Sequence, residues 1–219
     1  MKTFKKHYRY LLIFILLLTF SCSPKLSSSF TKENYTGKAY SKIAVVGISK
    51  DLSSRLAFEK TAVDLLQKKG VNAIQGINIF PQNMSETEKQ PSNIIKIIKE
   101  NDLDGVITMG LIDTKDGHRY EQGGTYTIPA GYYRVGKHIY RRYITLEEPG
   151  YYVPSKSYVI EAVFYNLKRE LVEGQDTWVW TGESSIVDPS SLQSAAKSFT
   201  SRMVGQIIKD GIIVSKHKQ

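Results

Sequence analysis

Three short apolar runs, separated by stretches with helical spacing, do most to restrict the fold. They are Lys42-Ile-Ala-Val-Val-Gly-Ile48, Val71-Asn-Ala-Ile74 and Val106-Ile-Thr-Met-Gly-Leu-Ile112. Near-continuous aliphatic runs of this length mark strands covered on both faces. Between the first and second, Leu52, Leu56, Phe58, Ala62, Val63, Leu65 and Leu66 recur at helical spacing. Ser49 or Asp51 can cap that helix, and Lys68-Lys69-Gly70 is its stop signal. Gly76 to Pro91 reads as a loop, with Phe80-Pro81 and a charged segment inside it. Ser92-Asn93 can then cap a second helix that buries Ile94, Ile95, Ile97 and Ile98 and ends over Asn101 to Gly105. A strand-helix-strand-helix-strand start with right-handed crossovers gives an α/β layer.

After Asp113 the character changes. Tyr120 to Val153 is crowded with Tyr, Gly, Pro and Arg and has no helical period. Ser157 to Tyr165 reads as a strand, Lys168 to Asp176 as a polar hairpin connection, and Thr177 to Ile186 as the partner strand. Asp188-Pro-Ser-Ser191 starts a last helix, with Leu192, Ala195, Ala196, Phe199, Met203, Ile207 and Ile208 on one face. Gly211 stops it, and Ile212 to Val214 can pack back before a basic tail. The expected fold class is therefore α/β, an α+β mixed sheet with antiparallel hairpin strands and a closing C-terminal helix. It forms a single domain over residues 41–215.

The first residues carry a different message. Lys2, Lys5, Lys6 and Arg9 precede an apolar run from Leu11 to Phe20, then Ser21, Cys22, Ser23 and Pro24. A basic segment, a short apolar segment and small residues make an export signal. The run is too short for a helix that must cross about 30 Å of hydrocarbon with about 20 residues. Ser21-Cys22 resembles the cleavage site of a bacterial lipoprotein signal, in which the cysteine becomes the acylated first residue of the mature chain. The resemblance implies a signal peptide over residues 1–21 and lipidation at Cys22, followed by a flexible tether to residue 40. It departs from that pattern at Thr19, where Leu is usual; here Leu18 stands one place earlier. An ordinary secretory signal cut near Ser21 or Ser23 is the alternative. Cys22 is the one cysteine of the chain, so no internal disulfide exists, whereas an acylated cysteine has a use. Ser23 in place of Asp suggests the outer membrane by Gram-negative sorting, with the domain facing the periplasm.

Removing Lys2, Lys5, Lys6 and Arg9 with the signal lowers the formal charge from +9 to +5. That is no nucleic-acid-scale field, and an exported protein rarely meets nucleic acid. Attraction to anionic lipid or polysaccharide is the better reading.

The element order resembles the domain shared by the TolB amino-terminal region, the curli-secretion lipoprotein CsgG and the lipoprotein activators of penicillin-binding proteins. The residues that carry it are Lys42-Ile-Ala-Val-Val46, Leu65-Leu66 before Gly70-Val-Asn-Ala73, and Leu103-Asp-Gly-Val-Ile107. The whole chain also resembles uncharacterised envelope lipoproteins of Bacteroidota. These are architectural patterns, and fold does not carry function with it.

Catalytic signatures fail on inspection. Gly131-Tyr-Tyr-Arg-Val-Gly-Lys-His138 approaches a phosphate loop, but His138 stands where Ser or Thr would hold magnesium, and no buried strand precedes it. Ser194-Ala-Ala-Lys197 has the spacing of a penicillin-recognising nucleophile without its partner motifs. Asp113, Asp116, His118 and Glu121 cluster in what reads as a solvated turn and match no metal-ligand spacing. No cofactor, metal site or catalytic group is expected, and the chain is read as a non-enzyme.

The remaining candidate is the Tyr-rich stretch, residues 118–158. Its residues Tyr132, Tyr133, Arg134, Tyr140, Arg141, Arg142, Tyr143, Tyr151 and Tyr152 form the expected binding set. Tyrosine offers a rigid ring with a polar tip and arginine suits anionic groups. The competing reading is that alternate tyrosines merely cover a twisted hairpin. The expected function is a lipid-anchored envelope module that docks a protein or glycan through this stretch. An oligomeric subunit of a CsgG-like secretion assembly is the alternative, and a wall or glycan enzyme comes last, for want of an acid/base pair.

Overall fold

The computed structural model describes residues 26–168 and 176–214. The expected signal peptide, Cys22 and part of the polar connection after Lys168 lie outside the described residues. The three apolar runs form β2 (Ile43–Ile48), β3 (Ala73–Gln75) and the inner part of β4 (Gly105–Glu121). β2 pairs in parallel with both β3 and β4. Helix α1 (Leu52–Lys68) links β2 to β3, and α2 (Pro91–Glu100) links β3 to β4. β7 (Tyr151–Asn166) then pairs antiparallel with β4, β8 (Trp178–Val187) with β7, and β1 (Ser28–Thr31) with β8. The resulting six-stranded mixed sheet has the order β1-β8-β7-β4-β2-β3, and α3 (Leu192–Lys209) closes the chain against it. β5 (Thr125–Val135) and β6 (His138–Glu147) form a separate two-stranded sheet. The α/β fold class expected from the sequence is the one observed.

Alternation along the strands divides the core in two. Ile43, Val45, Ile107, Ile160, Phe164 and Trp180 point to the face that α1 and α3 cover with Ala62, Leu66, Phe199, Met203 and Ile207. Ala44, Val46 and Val106 point the other way, to Ile94 and Ile98 of α2. The two crossovers run in opposite directions along the sheet, so a common right hand places α1 and α2 on opposite faces.

Polar ties fix the layers. Glu59 of α1 is fully buried and accepts from Arg55 Nε at 2.8 Å, Gly47 N at 3.0 Å and Ile77 N at 2.8 Å. Arg55 spends its other nitrogens on Gln82 Oε1 and the Phe80 carbonyl. Asp104 joins the starts of β2 and β4 by accepting from Ser41 N, Ser41 Oγ and Lys42 N at 2.7, 2.9 and 3.0 Å. Burial alone would push its carboxyl up; these donors, with Lys168, outweigh it and hold it below the usual carboxylate range.

The caps follow local chemistry. Asp51 caps α1 by accepting from Ser54 N at 2.8 Å. Ser191 and Ser194 close a capping box on α3, which gives Ser194 a structural task in place of the nucleophile pattern. α2 differs from expectation: it begins at Pro91, with Gln90 in the cap position and no side-chain cap. Proline's fixed φ suits the first helical position, and its missing N–H needs no partner there.

Two expectations are corrected. Residues 28–40 are not a free tether. β1 adds to the edge of β8, and Tyr40 is buried, its ring set edge-on to Phe164 at 4.9 Å. Its hydroxyl bonds that of Tyr35, and burial, then that neighbour, push the Tyr40 phenol well up. The polar composition hid a strand whose stabilisation comes from the exposed edge it covers. Nor is Asp113 to Glu121 a turn. β4 runs on through it to Glu121, because β7 continues opposite, pairing Thr114 with Tyr158 and Glu121 with Tyr151.

A projecting ribbon as the candidate functional site

The outer part of β4, then β5, β6 and the outer part of β7 are consecutive in the chain. Together they make one long ribbon of two chain segments, broken once at residues 122–124 and 148–150. Its distal turn is Gly136-Lys137, flanked by the Val135–His138 pair. Gly136 sits at φ +61, where the Gly-X order of a II′ hairpin turn requires glycine. Asp188 roots the ribbon by accepting from Lys156 N at 2.7 Å and Arg119 Nη1 at 2.9 Å. The Lys156 amide, then Ser155 and lastly the charge of Arg119, hold the Asp188 carboxyl below its ordinary value. Beyond this root neither helix layer covers the ribbon, and every residue of β5 is exposed.

The proximal and distal parts differ in chemistry. The proximal stalk is polar and charge-balanced, with Arg119 bridging to Glu121 and Lys156 to Asp116. Asp113, Asp116, His118 and Glu121 are strung along it, and among the described residues no three His, Cys, Asp or Glu side chains gather as a metal site. The distal hairpin from Tyr126 to Leu146 carries Arg134, Lys137, Arg141 and Arg142 and no Asp or Glu.

The register sorts the distal side chains by face. Residues directly opposite each other share a face, and neighbours along a strand do not. One face holds Tyr126 opposite Leu146, Ile128 opposite Ile144, and Tyr133 opposite Tyr140, with Val135, His138 and Arg142. The other holds Thr127 opposite Thr145, Tyr132 opposite Arg141, and Arg134 opposite Ile139, with Tyr143. A bulge between Pro129 and Tyr132 makes this segregation possible, because it shifts the alternation of β5 by one residue. Gly131 in the bulge has φ +99, a conformation that side chains other than glycine rarely adopt.

The expected binding set is therefore placed on the ribbon but split. Tyr133, Tyr140 and Arg142 lie on the apolar face, where the two tyrosine rings stack at 5.5 Å. Tyr132, Arg134, Arg141 and Tyr143 lie on the Thr/Arg face. There the Arg141 guanidinium sits 5.5 Å from the Tyr132 ring and donates to its hydroxyl at 3.0 Å. The bonds to Tyr132 and then Tyr143 raise the Arg141 pKa further. Tyr151 and Tyr152 sit apart at the top of the stalk, Tyr152 against Tyr120 at 5.2 Å. Tyr132 is 67 % exposed and Tyr152 71 % exposed, so covering the core does not account for them. Ile128, Ile144 and Leu146 belong to the apolar face and were missed in the sequence, because which face each residue takes depends on the pairing of β5 with β6 and on the bulge in β5.

A second feature lies at the ribbon's root. The carboxyl end of β2 and the middle of β4 open into a crevice of about 390 Å³, lined by Ile48, Phe58, Met109, Leu111, Tyr158 and Leu192 among others. Crevices at strand carboxyl ends are where open α/β sheets hold ligands. This one is apolar, and Arg55 at its wall is already committed to Glu59, Gln82 and Phe80.

The sequence matches no protein family and no curated protein. Among solved structures, the chain is similar to the PelC dodecamer from Paraburkholderia phytofirmans, at 11% identity over 86% of this chain and 99% of that one, with a TM-score of 0.43. The PelC L103M dodecamer from the same organism gives 9% identity over 81% and 96%, with a TM-score of 0.43. Lipoprotein GNA1162 from Neisseria meningitidis gives 15% identity over 78% and 99%, with a TM-score of 0.38. At these values the likeness is one of general layout and carries nothing about activity.

Proposed function

We propose that the chain is an outer-membrane lipoprotein, facing the periplasm and held by an acylated Cys22, that works as a non-enzymatic binding or assembly module. The observation that carries this reading is the ribbon: an isolated two-stranded hairpin gains little stability in water, yet here one is extended with large apolar and aromatic side chains exposed on both faces. Exposed apolar surface on that scale marks an interaction site. The Thr/Arg face, with Tyr132, Arg134, Arg141 and Tyr143, suits a polar, wet contact with a protein or glycan of the envelope. The test is crosslinking in native cells of the full chain and of a variant in which residues 122–149 are replaced by a short Gly-rich turn. Crosslinked partners should disappear from the variant; an unchanged set would exclude the ribbon as the docking element.

A second reading has one observation of its own. Outside the core, among the described residues, the ribbon pairs only with itself, so β5 and β6 each keep one edge without a partner strand there. A second copy could add there, making the chain a subunit of an assembly. Sedimentation of the mature domain with and without the ribbon separates the readings: a ribbon-dependent oligomer favours assembly, and a monomer in both favours docking of a different partner.

A further inference from the structure

We infer that the apolar face of the distal hairpin, residues 125–147, lies on an anionic phospholipid surface. The inference extends the reading above, since its geometry uses the lipid anchor at Cys22.

The strand directions supply the first argument. β1 runs the same way as β7, so its amino end, at Ser28, faces the end of the sheet from which the ribbon projects. Ser27 is level with Ser185, to whose amide its hydroxyl is bonded; Ser185 pairs with Val159, and Val159 with Asp113. Cys22 is four residues before Leu26, a reach of at most about 14 Å. From Asp113 to Glu121 the stalk already extends about 26 Å at about 3.3 Å per residue, with the distal hairpin still to come. An acylated Cys22 would hold the bilayer within about 14 Å of Leu26, a shorter distance than the ribbon is long. With the bilayer on the side that the ribbon faces, the ribbon lies along the membrane or enters it. A lone two-stranded ribbon cannot cross, because its edge N–H and C=O groups would be unpaired in hydrocarbon.

The second argument is chemical complementarity. The hairpin segregates Tyr126, Ile128, Tyr133, Tyr140, Ile144 and Leu146 to one face. Aromatic and aliphatic groups of this kind settle at headgroup level. The hairpin carries four cations against one acid, Glu147 at its foot on the opposite face, and this net positive charge matches a negative surface, whereas the balanced stalk does not. Arg142 on the apolar face and Lys137 in the turn can bury their stems and keep their charges among the headgroups.

The test uses the full mature domain from residue 26, which lacks Cys22, so that binding owes nothing to acylation. It should bind vesicles containing phosphatidylglycerol and leave pure phosphatidylcholine vesicles free. Binding should weaken steeply between about 0.1 and about 1 M salt, where the Debye length falls from about 10 to about 3 Å. The K137E/R142E double variant should weaken binding roughly 100-fold, from the worth of basic groups near an anionic surface. The R134E/R141E variant, on the opposite face, should lose less. The domain has no cysteine, so Ile128→Cys and Thr127→Cys accept a polarity-sensitive fluorophore at one site each. The Ile128 label should shift to the blue on vesicles and the Thr127 label should stay aqueous. Equal binding to neutral vesicles, equal losses in the two charge variants, or equal shifts at the two labels would overturn the inference. If vesicles are ignored but excising the ribbon still removes crosslinked partners in cells, the membrane contact is wrong and the docking module stands.

Discussion

At the scale of single residues, the protein concentrates its risk in two carboxylates, Glu59 fully buried and Asp104 half-buried. Glu59 compensates Arg55 and two backbone amides at once, so it joins α1, the end of β2 and the turn after β3. Glu59→Ala would leave Arg55 Nε, with its buried charge, and the Gly47 and Ile77 amides without their acceptor. Losing one partner of a buried pair costs about 3–5 kcal/mol, and urea unfolding of the mature domain should show a loss of that size. Neither residue stands out in the sequence, where an i,i+4 Arg–Glu pair reads as a solvent-facing helix bridge. Asp104 acts through pH. Its folded carboxyl titrates below its unfolded value, so its contribution is present above about pH 4 and is lost as pH falls through the folded value. Asp104→Asn should therefore be less stable than the wild type at neutral pH, and the gap should close in acid. A gap independent of pH would mean that the carboxylate's charge is irrelevant to the tie between β2 and β4.

At the scale of elements, helices and inner strands were legible because each carries its own signal. α1 shows its apolar spacing and its Asp51 cap, and β2 reads as a buried run. β1 and the outer half of β4 were not legible, because their stabilisation comes from a partner far along the chain: β8 for the first and β7 for the second. The ribbon belongs with these. Beyond the ties at Asp188 it packs against neither helix layer, so its removal leaves the core intact. The domain with residues 122–149 replaced by a short turn should unfold within a few degrees of the parent, since about 1 kcal/mol moves the midpoint of a domain this size by about 2–4 °C. A large drop in the midpoint would show that the ribbon supports the core and would weaken its reading as a free interaction surface.

At the scale of the whole molecule, the amino end of β1 and the ribbon face the same end of the sheet. With Cys22 acylated as proposed, only a few residues would separate membrane and domain, and the lipid would set the orientation of the domain as well as its location. Cys22→Ala should leave the protein uncleaved or shift it out of the membrane fraction. A variant that migrates and fractionates like the wild type would exclude lipidation at Cys22.

The sequence by itself determined the α/β class, the order of the inner elements, a cap for α1 at Ser49 or Asp51, the entry to α3 over Asp188 to Ser191, and where the Tyr/Arg stretch lies in the chain. These rest on local periodicity and side-chain chemistry, which neighbouring residues settle among themselves. Only the tertiary structure decided that the supposed tether is an edge strand, that the charged turn is a stalk, and that the nine candidate residues divide between two faces and the stalk. Each of those depends on strand register, and register is fixed by partners distant in the chain and, in the ribbon, by one bulge at Gly131.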